Sequence, residues 1–486
     1  GGVTLESGNF RAGTDTALGT GTFTLKSGTF AAGGTGTRNF ANDVVISGNI
    51  RFGAIEGTTS TGTLILGGLT DLGNTTRTLT VSNTTYFTNI VSGDAGITKR
   101  GKGTFILRDH NTFTGPVTIQ EGILQAYPFS NYDPLGATPT TLTTNLLVFD
   151  GGTLTAGRAF FVHGNRGGYT TENNGTIGGN LAIGVSGGLD GPGSLTKTGT
   201  SRLSLGGSST FSGGLIFDQG KLRIGNNQAL GTGTFTITDG TSVVNYYNTV
   251  RTLTNAVVLN GNFTFGSMAS DEFGTMIFSG PWDIGASTRT ITVPEENGSN
   301  VVSVISGSIS GAGGITKDGL GTLTLSGANT YGGPTTLSQG ELTLSTAGVY
   351  AGGITAYDQS VLGVIRDEAS PKLVTPSLAL APASVGMTTA FFLPSGASAT
   401  PVIETTDLAI NGQIEVQIYG GGFTVGQFPL IKYNTLTGGG TFATAPLYLP
   451  AGLNAEIVNN TANSSIDLKV NSATPAALTW TGAFNS

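Results

Sequence analysis

Short runs in which apolar and polar residues alternate recur along the chain, among them Val3-Thr4-Leu5, Leu79-Thr80-Val81, Phe235-Thr236-Ile237 and Thr322-Leu323-Thr324-Leu325. Successive side chains of a strand point to opposite faces, so this period of two, rich in β-branched residues, predicts strands buried on one side. Gly, Asn or Asp separates the runs, and no segment shows helical periodicity with caps. From Ser345 onward longer apolar strands appear, such as Ile414 to Ile418 and Phe428 to Ile431. The pattern predicts an all-β chain of many short strands.

The strands belong to a repeated unit. GITKRGKGTFILRDHNTF at 96–113, SLTKTGTSRLSLGGSSTF at 194–211 and GITKDGLGTLTLSGANTY at 314–331 share Thr-Lys at their third and fourth positions and an aromatic residue at the end. A Gly turn and another alternating strand follow each copy, extending it to 96–126, 194–225 and 314–345. A longer duplication contains these copies: Gly1 to Leu25 aligns without gaps on Gly213 to Ile237, with Ala17-Leu18 matching Ala229-Leu230 and Gly19 to Thr22 matching Gly231 to Thr234. A sandwich or barrel would require each duplicated unit to close its own core. Coils stacked along an axis instead share an apolar face from one unit to the next, so in-register duplication predicts a β-solenoid.

The repeats resemble the autotransporter-associated β-strand repeat, also called the passenger-associated transport repeat. Its Leu-Thr-Lys, Gly-x-Gly-Thr-Leu-x-Leu-Ser-Gly and Asn-Thr-Tyr pattern is most similar to Gly314 to Gly333. The first copy departs at Arg108-Asp109-His110, and the second lacks the second glycine and the Asn. The resemblance implies a right-handed parallel β-helix, export to the bacterial cell surface or medium, and no catalytic residues. FPLIKYNTLTGGGTF (428–442) and LPAGLNAEIVNNTANSSIDLKV (449–470) are similar to segments that close such solenoids, and LTWTGAFNS (478–486) to the opening of a further module. The expected organisation is a repetitive solenoid over 1–345, a divergent continuation or end module over 346–470, and a linker with the first strand of a following module over 471–486.

Composition narrows the function. Only 10 % of residues are charged, against about 25 % in ordinary domains, while 80 are Gly, so Thr, Ser, Asn and Gly carry the surface. The net charge is −7, with Lys and Arg scattered singly, which leaves no basic stripe for nucleic acid. There is no Cys, hence no disulfide framework and no thiolate chemistry. The apolar stretch around Leu378 to Pro394 is interrupted by Pro and polar residues and falls short of the roughly 20 residues of a membrane span. With neither an initial Met nor a charged-then-apolar leader, the chain is expected to be processed or part of a longer product.

Candidate chemistry is sparse. Gly96-Ile97-Thr98-Lys99-Arg100-Gly101-Lys102-Gly103 falls one residue short of a phosphate-binding loop; Gly103 stands where the hydroxyl should be, a strand follows, and Lys102 corresponds to Leu320 in another copy. Asp271-Glu272, Glu295-Glu296 and Asp367-Glu368 are adjacent pairs, whereas glycoside hydrolysis needs carboxylates that converge across a cleft. His110 and His163 lack the company of a metal site, and Asp190-Gly191 is at most an isolated calcium loop. No catalytic, cofactor or metal residue is therefore expected, and no cofactor.

The expected function is that of a structural extracellular rod, stalk or fibre module serving adhesion, matrix or surface-layer roles. Its partners would be neighbouring modules or copies of itself, stacked end to end because open strand edges template pairing and neither end of the sequence offers an evident cap. Leu478, Trp480 and Phe484 are the candidate contact. The competing reading is a carbohydrate-binding or carbohydrate-cleaving β-helix protein engaging surface glycans, for which Arg158, Phe160, Phe161, Tyr246 and Tyr247 are the nearest candidate cluster.

Overall fold

The computed structural model describes residues 1–58, 60–129, 133–246, 249–266, 274–296 and 299–473. Every regular element among them is a β-strand, and no helix among them is long and apolar enough to cross a membrane. The chain forms two compact units, Gly1–Phe235 and Thr236–Ser486, and each is a parallel β-solenoid. The all-β solenoid expected from alternation and repetition is what the chain adopts.

In the first unit, strands of two to seven residues stack on the equivalent strand of the next coil. Val3–Leu5 lies on Phe23–Leu25, which lies on Val44–Ile46. A second ladder runs Asn9–Ala12, Thr29–Ala32, Ile50–Phe52, Arg77–Val81 and Ile97–Arg100. A third runs Arg38–Phe40, Leu64–Leu66, Thr85–Phe87, Thr104–Arg108 and Ile123–Tyr127. The apolar member of each alternating run points inward: Phe23, Leu25, Phe40, Leu64, Leu66 and Phe87 are fully buried. Aromatic rings continue the contact between ladders, with Phe52, Phe87 and Phe105 meeting edge-on at 5.8 and 4.9 Å. Such edge-to-face pairs add about 0.5–1.5 kcal/mol beyond the area they bury. The outward partners are mostly Thr, as where Thr98 lies beside Thr118, a pairing that suits a half-exposed sheet surface.

The second unit follows the same rule until its last coils, where the strands lengthen. Ile315–Asp318, Thr335–Leu337 and Ile354–Ala356 stack in one ladder, and Thr322–Leu325, Glu341–Ser345 and Val361–Ile365 in another. These give way to the eight-residue strands Leu373–Leu380, Ile403–Ile410 and Gln413–Gly420. Gly426–Thr437 continues the parallel ladder on Ile403–Ile410. It then pairs antiparallel with Ser465–Ala473, which pairs antiparallel with Leu453–Asn460. Among the described residues the sheet therefore ends on a hairpin, with Leu453–Asn460 as its outermost strand.

This hairpin lies within 426–473, over the segments 428–442 and 449–470 that resemble solenoid-closing ones. A further parallel strand needs another full coil, whereas an antiparallel neighbour needs only a tight turn. Thr461 to Ser464 supplies that turn, Ser464 adopting a positive φ of 49°.

Candidate functional site

The Thr-Lys of each repeat is a structural staple. Alternation places Lys99 on the same inward side as Ile97, and its side chain is fully buried. The ammonium donates to the carbonyls of Arg100, Gly101 and Glu121 at 3.0, 2.5 and 2.8 Å. Lys197 does the same for Thr198, Gly199 and Gln219, and Lys317 for Gly319 and Gln339. Two acceptors lie in the lysine's own corner, or one for Lys317, and one in the corner of the next coil, so each ammonium ties stacked corners whose carbonyls have no ladder partner. Burial draws all three lysines down to about 8, against the opposing pull of Glu121 on Lys99, Asp218 on Lys197, and Asp318 and Glu341 on Lys317.

The repeat's Asn has a matching role. The Asn111 side-chain oxygen accepts from the Val91 amide at 2.8 Å while its amide donates to the Pro134 carbonyl at 2.6 Å. Asn329 accepts from the Ile309 amide at 3.0 Å. In the copy that lacks this Asn, the Ser209 hydroxyl accepts from the Leu189 amide at 3.1 Å. That departure from the repeat thus keeps the hydrogen bond that the position exists to make.

Lys102 of the near phosphate loop is exposed, on a corner between two strands. Asp367 Oδ1 accepts the amides of Ala369 and Ser370, closing a local turn. Glu295–Glu296 forms a two-residue antiparallel pair with Ser299–Asn300, and Asp271 and Glu272 lie outside the described residues. Asp190 Oδ1 accepts the Thr210 hydroxyl at 2.6 Å. No three His, Asp or Glu side chains converge on a metal-sized site among the described residues. Phe160 and Phe161 face opposite sides of one strand, Phe160 in the core and Phe161 54 % exposed, so period two separates them. Arg158 donates to the Phe129 carbonyl. Tyr246 belongs to the other compact unit, and Tyr247 lies outside the described residues, as do Leu478, Trp480 and Phe484.

Two features escaped the sequence reading. Asp133 and Arg166 form a buried ion pair at 2.9 Å, and Arg166 also donates to the carbonyls of Gly136 and Ala137; this pins the Asp133 to Ala137 loop onto the coil. The second feature is an outward aromatic stack in the second unit. In Met387–Leu393 the apolar alternation sends Phe391 into the core and Phe392 out. Phe392 lies beside Tyr419 of the next coil, their rings 4.8 Å apart and 9° from parallel. Tyr448 stacks on Tyr419 at 4.6 Å and is 45 % exposed. Tyr419 donates to the Gln417 side chain at 3.0 Å. Burial, with the neighbouring Tyr448 and Glu341, holds its phenol above the ordinary value. The result is a pile of three stacked rings running from coil to coil, with Tyr448 its exposed member and Gln417 at its edge.

The family model of the passenger-associated-transport-repeat matches residues 97–126, 195–224 and 315–344, the three copies whose lysines act as staples. Over 290 residues, 57 % of its length, the chain is 28 % identical to the adhesin BmaC autotransporter of Brucella suis biovar 1 (strain 1330). It spans 8 % of the length of that relative. No solved structure matches it significantly.

Proposed function

We infer that this chain, which carries three passenger-associated transport repeats, is a segment of an autotransporter-type adhesin, a structural solenoid that presents contact surfaces to other cells or to matrix. An extracellular or cell-surface bacterial location follows from the repeats and from the similarity to a bacterial autotransporter adhesin. The observation that carries the adhesive reading is the division of labour among side chains. Of the ionisable groups that look chemical in the sequence, Lys99 is committed to stapling corners and Asp367 to closing a turn. The surface that can engage a partner is rich in hydroxyls and amides and includes the aromatic stack Phe392–Tyr419–Tyr448. Rings of this kind contribute large, rigid contact area at low entropic cost.

The test is attachment. Beads coated with the chain are expected to adhere to host-cell layers or matrix proteins more than beads carrying an unrelated β-protein, with Tyr448→Ala reducing attachment and leaving thermal unfolding unchanged. Release of new reducing ends from polysaccharides, without attachment, would replace this reading with the carbohydrate-cleaving one.

A further inference from the structure

A cleft of about 670 Å³ opens beside the closing hairpin, on the outer side of strands Ile403–Ile410, Gly426–Thr437 and Ser465–Ala473. Its size falls within the range of about 300–1,000 Å³ that holds small molecules. Pro401 and Pro429 supply apolar faces, and the polar lining comes from Glu404, Gln427, Lys432, Asn460 and Asp467.

Asp467 is the unusual member. Ile466, Leu468 and Val470 of its strand enter the core, so Asp467 points outward, yet it is only 3 % exposed. It lies between its cross-strand neighbours Pro429 and Val458. One carboxylate oxygen accepts from Gln427 and Asn460 at 2.7 and 2.8 Å. The other, Oδ1, has no hydrogen-bond partner among the described residues. A buried carboxylate oxygen calls for a donor.

The charges around it balance. Glu404 is paired with Lys372 at 2.6 Å, and the positive Lys432, which touches the Asn463 carbonyl, offsets Asp467. A cleft without net charge gives no advantage to an anion or a cation. Its carboxylate acceptor, amide groups and ammonium donor match a ligand that both donates and accepts hydrogen bonds, and its proline rings match a ligand with C–H faces. Vicinal hydroxyls on a pyranose ring have this combination.

We propose that the cleft binds a neutral saccharide, with the Asp467 carboxylate that lines it accepting a sugar hydroxyl, Lys432 donating to ring or hydroxyl oxygens, and Pro401 and Pro429 meeting the sugar's C–H face. The proposal rests on the adhesive reading only for its biological use. The whole chain is to be screened on an array of neutral hexose and N-acetylhexosamine oligosaccharides, and the strongest ligand titrated by calorimetry. Binding is expected to weaken at least tenfold in both Asp467→Asn and Lys432→Ala, and to be unchanged in Lys469→Ala, whose partner Glu456 lies outside the cleft lining. If Asp467→Asn fails to fold, Lys432→Ala decides. Absence of binding to any neutral saccharide, preference for acidic sugars only, or an affinity unmoved by Lys432→Ala would overturn the proposal. Attachment that persists without saccharide binding would remove the cleft and leave the adhesive reading; saccharide binding without attachment would do the reverse.

Discussion

Lys99, Lys197 and Lys317 show how one residue type supports a stack of coils at the cost of burying charge. Each ammonium is surrounded by carbonyl oxygens, and each loses its proton at about 8 in the folded chain against an ordinary 10.5. Between those values the unfolded chain holds more protons than the folded one, so stability rises with pH. The slope is at most about 1.4 kcal/mol per pH unit for each lysine. Thermal unfolding is therefore expected to shift upward from pH 7.5 to pH 9.5, and Lys→Met at all three positions to flatten that rise. The window stops short of pH 10 because Tyr331 and Tyr350, whose phenols burial pushes above their ordinary value, contribute the opposite slope there. A triple variant with the same rise as the parent would show that the staples do not titrate in this range.

At the level of the corner, glycine determines how closely coils stack. Gly122 adopts a φ of 67°, and a Cβ there would come within 2.4 Å of the Gly101 carbonyl oxygen in the coil before. That carbonyl is one of the acceptors of Lys99, so the small corner and the staple depend on each other. Gly240 has a similar φ of 69° with nothing within 4 Å of an added Cβ. Gly122→Ala is expected to cost more than about 2 kcal/mol, the left-handed backbone term plus displacement of the neighbouring corner, and Gly240→Ala about 1 kcal/mol from the backbone alone. Urea midpoints of the two variants measure the difference, and equal losses would mean that close stacking adds nothing at Gly122. The closing hairpin works in the other direction, ending the parallel ladder with the antiparallel pairing of Leu453–Asn460 on Ser465–Ala473.

For the whole molecule, the repeats and the adhesin similarity support a passenger-like segment built for display, with side chains that hold the fold separated from those that face outward. We also propose end-to-end association with neighbouring modules or further copies. The hairpin directs it away from Leu453–Asn460, whose neighbourhood already carries the Glu456–Lys469 ion pair, since charged side chains discourage edge pairing. If segment 478–486 acts as connector, its deletion is expected to shorten any filaments seen by electron microscopy. An unchanged length distribution would eliminate that role.

Much of the fold was legible because its signals are local. Alternation in runs such as Thr322 to Leu325 sets which side chains are buried, Gly between the runs sets corners, and the duplication sets a shared core; these follow from chain geometry and need no knowledge of partners. Even the burial of Lys99 is implied by its period-two relation to Ile97, although the three carbonyls that receive it come from two coils and appear only once those coils stack. The site was less legible, since the aromatic candidates Phe160 and Phe161 part to opposite faces while Phe392, Tyr419 and Tyr448 meet. Coils of unequal length bring these rings together, and only the ladder register fixes where each one lands. The same holds for the Asp133–Arg166 pair, the antiparallel hairpin and the Asp467 cleft. Local chain pattern sets the kind of element, its buried face and its repetition, because those depend on nearest neighbours along the chain. Which distant side chains share a surface, and where the closing hairpin docks, was left to tertiary structure, because both depend on hydrogen-bonded register between strands of different coils.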